Sequence, residues 1–139
     1  MSDTVFFHRA KQEFFPVGTK FEHIDNISKY EDGSLSSIVI QDLLDFYPEE
    51  EMENVLLQII SKLSRGGTLD IQSIDMKMLG VAIAFNDINA ELTKQVLYPF
   101  KRSIHTMSEI ADICTKNGMD IIMKKYVNIF EYYISSTKK

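Results

Sequence analysis

The sequence predicts an α/β protein, a three-layer, mostly parallel sheet that closes with a C-terminal antiparallel hairpin. Three observations point there. Ile38-Val39-Ile40 is a β-branched run of the kind that fills a central strand buried on both faces. Pro48 to Gly67 carries the start, the apolar face and the stop of a helix, and the alternating segment Thr68 to Ile74 follows at once. Asp120 to Tyr126 and Ile129 to Ser135 are rich in Ile, Tyr and Val and flank a tight connection at Val127-Asn128.

Taken in order, Val5-Phe6-Phe7 and Phe21 to Ile24 read as two strands separated by a polar stretch containing Pro16 and Gly18. Asn26 to Ser37 is turn-rich, with Asp32-Gly33-Ser34 as its clearest signal, and leads into the third strand. Pro48 opens the best-marked helix. Its missing N–H costs nothing in a first turn, and Glu49, Glu50 and Glu51 complement the positive end of the helix dipole. Met52, Val55, Leu56, Ile59, Ile60 and Leu63 recur on one face, and Gly66-Gly67 is expected to end the helix. In the strand that follows, Leu69 and Ile71 share one face while Asp70 and Gln72 share the other. Asp75 to Arg102 reads as two helical pieces, interrupted around Asn86 to Asn89 and again at Pro99. Thr106 and Glu109 form a T-x-x-E capping pair ahead of Ile110, Ala111, Ile113 and Cys114, and Gly118 stops that helix. In such sheets ligands bind beyond the carboxyl ends of the strands, where the strand order reverses. The residues to watch are therefore His8 to Ala10, His23 to Asn26, Gln41 to Asp45 and Ser73 to Lys77.

With 139 residues, 45% hydrophobic and 25% charged, the chain is expected to form one domain that needs neither disulfides nor a structural metal. The single Cys114 cannot form an internal bridge and suits a reducing, cytoplasmic setting. A formal charge of -5 and scattered Lys and Arg argue against nucleic-acid binding. No apolar run approaches the roughly 20 residues of a membrane span, and nothing at the N-terminus has a signal-peptide layout, so neither membrane insertion nor secretion is expected.

Four stretches together resemble the class I S-adenosylmethionine-dependent methyltransferases. Asp32-Gly33-Ser34-Leu35-Ser36-Ser37-Ile38 is similar to the acidic, small and apolar residues before that family's fourth strand. Gln41-Asp42-Leu43-Leu44-Asp45-Phe46 stands where many members have an apolar residue followed by Leu-Glu-His. Leu63-Ser64-Arg65-Gly66-Gly67-Thr68-Leu69 resembles the helix stop and Gly-Gly turn before the fifth strand, and Ile74-Asp75 resembles the Pro-Asp that often ends it. Thr106 to Ser135 is similar to the last helix and closing strands. The resemblance covers 32–139 well, whereas 1–31 is a reduced counterpart of the family's N-terminal part. It implies a Rossmann-like methyltransferase fold.

The resemblance breaks where the cofactor would sit. A glycine-rich turn after the first strand lets the backbone approach the cofactor, and His8-Arg9-Ala10-Lys11-Gln12 has no glycine before Gly18. Ser36 replaces an acidic residue, and Phe46 replaces the histidine of the Leu-Glu-His pattern. No catalytic residue is therefore assigned. His8 and His23, expected near adjacent strand ends, lack a third ligand, so no metal site is assigned either. His105 is expected in a loop with no catalytic duty, and Cys114 is expected to pack as a small hydrophobe.

The preferred reading is a methyltransferase-like domain with a degenerate site and no cofactor, acting as a non-catalytic interaction or scaffold protein, a homodimer or the partner of another protein. Phe6, Phe7, Phe14 and Phe15 are candidates for a dimer interface, or for burial against the chain's own sheet. The alternative is a minimal active enzyme that methylates a small polar molecule, with Asp25, Gln41 and Asp42 binding S-adenosylmethionine.

Overall fold

The fold is that of a computed structural model, which describes residues 4–8, 20–97 and 102–139. A six-stranded sheet runs in the order β2-β1-β3-β4-β6-β5. Its strands are β1 (Thr4–His8), β2 (Lys20–His23), β3 (Leu35–Gln41), β4 (Leu63–Ile74), β5 (Met119–Tyr126) and β6 (Glu131–Lys138). The first four pair with one another in parallel, and β6 is antiparallel to both β4 and β5. The helices are α1 (Glu49–Lys62), α2 (Met76–Ala84), α3 (Ala90–Leu97) and α4 (Met107–Lys116). The expected α/β class, with its mostly parallel sheet and C-terminal antiparallel pair, is what forms.

Period-two alternation decides which sheet face is core. Val5, Phe7, Ile38, Ile40, Leu69, Ile71 and Ile134 are buried on one face. They join Leu56 and Ile59 of α1 with Ile110 and Cys114 of α4 in one cluster. Ser37, Val39, Gln41, Asp70 and Gln72 alternate with them and are half-buried. Val39 thus falls short of the two-sided burial its β-branched run predicts. Phe6 and Phe7 are 3% and 0% exposed, so they pack within the chain and offer no dimer surface; Phe14 and Phe15 lie outside the described residues.

Several boundaries differ from expectation for local reasons. The second strand ends at His23, and Ile24–Lys29 forms a 3-10 helix, because Ile24 and Ile27 at i and i+3 both reach the core. The helix after Pro48 ends at Lys62, before the glycine pair. Leu63 already pairs with Leu35, and the ladder resumes at Ser37 with Thr68, so 64–67 bulges out and Gly66 takes φ 78° within it. The end of α1 is closed from elsewhere in the chain. Lys138 Nζ donates to the Ile60 and Leu63 carbonyls at 3.0 and 2.9 Å, placing a cation on the negative end of the helix dipole.

The interruption expected around Asn86 to Asn89 separates α2 from α3, whereas Pro99 lies outside the described residues. These two helices have a smaller cluster of their own, in which Ile74, Leu79, Ala82 and Ile88 pack with Phe130. The hairpin turn is wider than the expected Val127-Asn128. Asn128 Oδ1 accepts from the Phe130 and Glu131 N–H groups at 3.0 and 2.8 Å, an Asx turn that holds 127–130 together. Thr106 caps α4 as expected, its Oγ1 accepting from the Glu109 N–H at 3.2 Å.

Candidate functional site

The chain runs from β1 outward to β2, then returns to the other side of β1 to make β3. Strand order therefore reverses at β1, and the crevice beyond the carboxyl ends of β1 and β3 is the place where open α/β sheets take ligands. His8 ends β1 beside His23, and Gln41 ends β3 beside Gln72. All the strand-end segments singled out in the sequence lie at this end of the sheet, so far as they are described.

Gln41 and Asp42 follow directly from β3 and are both half-buried. Asp42 adopts φ 51°, a left-handed conformation uncommon outside glycine, while its N–H donates to the Gln72 carbonyl at 2.9 Å. The backbone thus turns away from the sheet at the switch point. Asp25 sits two strands away, in the 3-10 helix after β2. Its N–H donates to His23 Nδ1 at 3.1 Å and its carboxylate is 81% exposed. Two interstrand spacings, about 10 Å, separate the ends of β2 and β3, with β1 between them. The structure places Asp25 and the Gln41-Asp42 pair at the same, carboxyl end of the sheet, on either side of β1. The glycine-free stretch after His8 falls in 9–19, outside the described residues.

The remaining strand-end carboxylates have structural duties. Asp45, 2% exposed, accepts from Ser73 Oγ at 2.9 Å, and its carbonyl accepts from the Arg102 and Ser103 N–H groups. Asp75, with no exposed surface, accepts from the Met78 N–H at 2.8 Å and from the Met107 N–H at 2.7 Å, so one carboxylate serves the N-terminal ends of α2 and α4. His105 lies just before α4, as expected, but is buried. It is 2% exposed, with Nε2 2.9 Å from Ser103 Oγ and Nδ1 3.4 Å from Glu109. The sequence reading missed this, although the spacing of His105 and Glu109 on the entry to α4 was its signal. Tyr132 packs within the same end of the sheet. Burial pushes its phenol well above the usual range, and the charges of Asp45, Asp42 and Asp75 add to the effect.

At the outer edge, Glu22 is held by Lys29, by Asn26 Nδ2 at 3.1 Å and by the Tyr30 hydroxyl at 3.1 Å. The Lys29 ammonium holds its carboxyl below the ordinary range against the opposing effect of burial. This ties the 3-10 helix to β2 and so fixes where Asp25 stands. Cys114 is buried, which raises its thiol to about 11, as a core side chain requires. Among the described residues no group of three or more His, Cys, Asp or Glu is placed to hold a metal. No helix among them is long and apolar enough to cross a membrane.

No family model matches the chain, and no curated protein sequence matches it. Solved structures do. Magnesium protoporphyrin IX methyltransferase from Synechocystis PCC 6803, with bound S-adenosylhomocysteine, superposes with a TM-score of 0.59 at 19% identity, over 87% of this chain and 52% of that one. A possible histamine N-methyltransferase from Thermotoga maritima gives 0.60 at 19% identity, over 88% and 65%. An S-adenosylmethionine-dependent methyltransferase from Methanosarcina mazei gives 0.61 at 17% identity, over 86% and 67%. This chain thus spans about half to two thirds of the length of these structures.

The comparisons correct one expectation, that this chain takes no cofactor. The Synechocystis enzyme holds S-adenosylhomocysteine in one structure and S-adenosylmethionine in another. That expectation rests on the missing glycines, the reduced N-terminal part and the replacements at Ser36 and Phe46; the parallel pairing of β1 with β3, which sets the switch point, is present. A six-stranded, mostly parallel sheet with its closing antiparallel pair, together with these neighbours, gives this chain the fold of the class I S-adenosylmethionine-dependent methyltransferases.

Proposed function

We propose that this chain is a methyltransferase domain that binds S-adenosylmethionine across the carboxyl end of β1 and acts on a small polar molecule. The observation that carries the reading is the reversal of strand order at β1, flanked by Asp25 on one side and Gln41-Asp42 on the other. The residues fit the group. Asp25 offers an exposed carboxylate to ribose hydroxyls, and Gln41 and Asp42 offer acceptors to a cationic amine at the end of the neighbouring strand. Bound there, the cofactor supplies an electrophilic methyl group on a sulfonium, and this chain's contribution is to orient it and exclude water.

A second reading, a domain that binds the cofactor and serves as a scaffold without transferring the methyl group, draws on a different observation. Asp45, Asp75 and His105, the buried groups nearest the end of β4, are engaged in holding helices and loops. Cytoplasmic residence and self-association belong to both readings; the lone buried Cys114 supports the former.

Calorimetric titration with S-adenosylmethionine and S-adenosylhomocysteine tests the shared part. Saturable binding is expected, weakened by Asp42→Ala and by Asp25→Ala, and the absence of heat and of thermal stabilisation at millimolar ligand would sink both readings. Release of S-adenosylhomocysteine with small polar acceptors then separates them, since binding without turnover favours the scaffold.

A further inference from the structure

Among the described residues β5 is the outer strand on its side of the sheet, and it exposes large apolar side chains: Ile122 is 66% exposed, Met123 47% and Tyr126 46%. An outer strand presents a row of backbone N–H and C=O groups that a further strand can pair with. Its charges are distributed unevenly. Asp120 stands near one end and Lys124-Lys125 near the other, with Ile121, Ile122 and Met123 between them.

We propose that β5 pairs antiparallel with β5 of a second copy, about a two-fold axis passing between Ile122 and Met123. In that register Asp120 faces Lys125 of the partner subunit, and the symmetry repeats the pair at the other end. Ile122 then faces Met123 of the partner subunit, and Ile121 faces the aliphatic stem of Lys124 of the partner subunit. A register that set the lysines against one another would be repelled, so charge disfavours it.

Geometry supports the same choice. Directly opposed residues of an antiparallel pair point to the same face, whereas Asp120 and Lys125 of a regular strand would point to opposite faces. The bulge between Ile121 and Met123 changes that parity. Asp120 pairs with Thr137 and Lys125 with Tyr133, so both project from one face of the sheet. Lys125 Nζ lies 5.7 Å from the Tyr133 ring on that face. The present contact of Asp120, with Lys139 at 3.4 Å, joins side chains that are 61% and 59% exposed, so it yields readily to a new partner.

Sedimentation of the full chain tests this, and it is independent of cofactor binding. A concentration-dependent dimer is expected. Lys125→Asp and Asp120→Lys each place like charges opposite one another at both ends and weaken association by about tenfold. The double variant restores opposite charges and recovers most of the loss. Circular dichroism confirms that each variant folds, and amide exchange of the unaltered chain offers a readout free of substitutions, with β5 protection rising with concentration. A chain that stays monomeric up to about 1 mM, or a double variant no better than the singles, overturns the proposal. Capture of the β5 edge by a strand from another protein, with no self-association, overturns it equally.

Discussion

Asp75 accepts from the Met78 and Met107 N–H groups while fully buried, so its replacement acts on two helices at once. Asp75→Ala removes the cap of α2 and leaves the Met107 N–H without its acceptor. A loss of about 2–4 kcal/mol is expected from urea unfolding. Asp75→Asn keeps acceptor oxygen for one of the two and should lose less. Glu22 governs a pH dependence instead. Its carboxyl is held below its ordinary 4.5 by Lys29, so the folded state favours the charged form. The contribution is complete above that ordinary value and disappears as pH falls through the lower, folded one. Acid unfolding of Glu22→Gln should therefore show a shallower decline below about pH 4.5 than the parent. Cys114, raised to about 11 in the core, should react with a thiol reagent only once the chain unfolds.

Among the elements, two glycines make a controlled contrast. A Cβ on Gly67 would sit 2.8 Å from the Ser64 carbonyl and 3.2 Å from that of Ser36, both backbone atoms that cannot swing aside. Gly67→Ala is expected to cost about 1–3 kcal/mol in chemical denaturation. Gly80 is exposed on α2, where an added methyl would meet nothing within 4 Å, and Gly80→Ala should gain up to about 1 kcal/mol in the same measurement. The same elements show what the sequence made legible. The alternation in β4, the break between α2 and α3 and the Thr106 cap were local patterns, and each recurs in the structure within a few residues. The 3-10 helix after β2 was hidden because its two apolar residues are also compatible with a strand end. The true end of α1 was hidden because the side chain that closes it, Lys138, belongs to a strand far along the chain. Asp25, Gln41 and Asp42 could be placed at or just after strand ends from the sequence, and that placement is what the structure has. The buried Asp75 and His105 arrangement could not be foreseen, because it needs α2, α4 and the approach to α4 brought together.

For the whole molecule, the position of β6 between β4 and β5 sets an order of events that the finished structure conceals. During synthesis β5 leaves the ribosome before β6, yet it reaches the sheet only through β6. Until residues 131–138 emerge, the far side of β4 has no ladder, α1 lacks the Lys138 ammonium at its end, and Phe130 has only begun to reach the small cluster beside Ile74. A nascent chain stopped just before Glu131 is therefore expected to remain protease-sensitive throughout, including β3 and α1, which lie far upstream of the stop. On that expectation structure does not accumulate step by step from the N-terminal side. It waits for a late strand to be threaded into the interior of the sheet, so the interval between translating β5 and translating β6 is when an apolar strand most needs a chaperone.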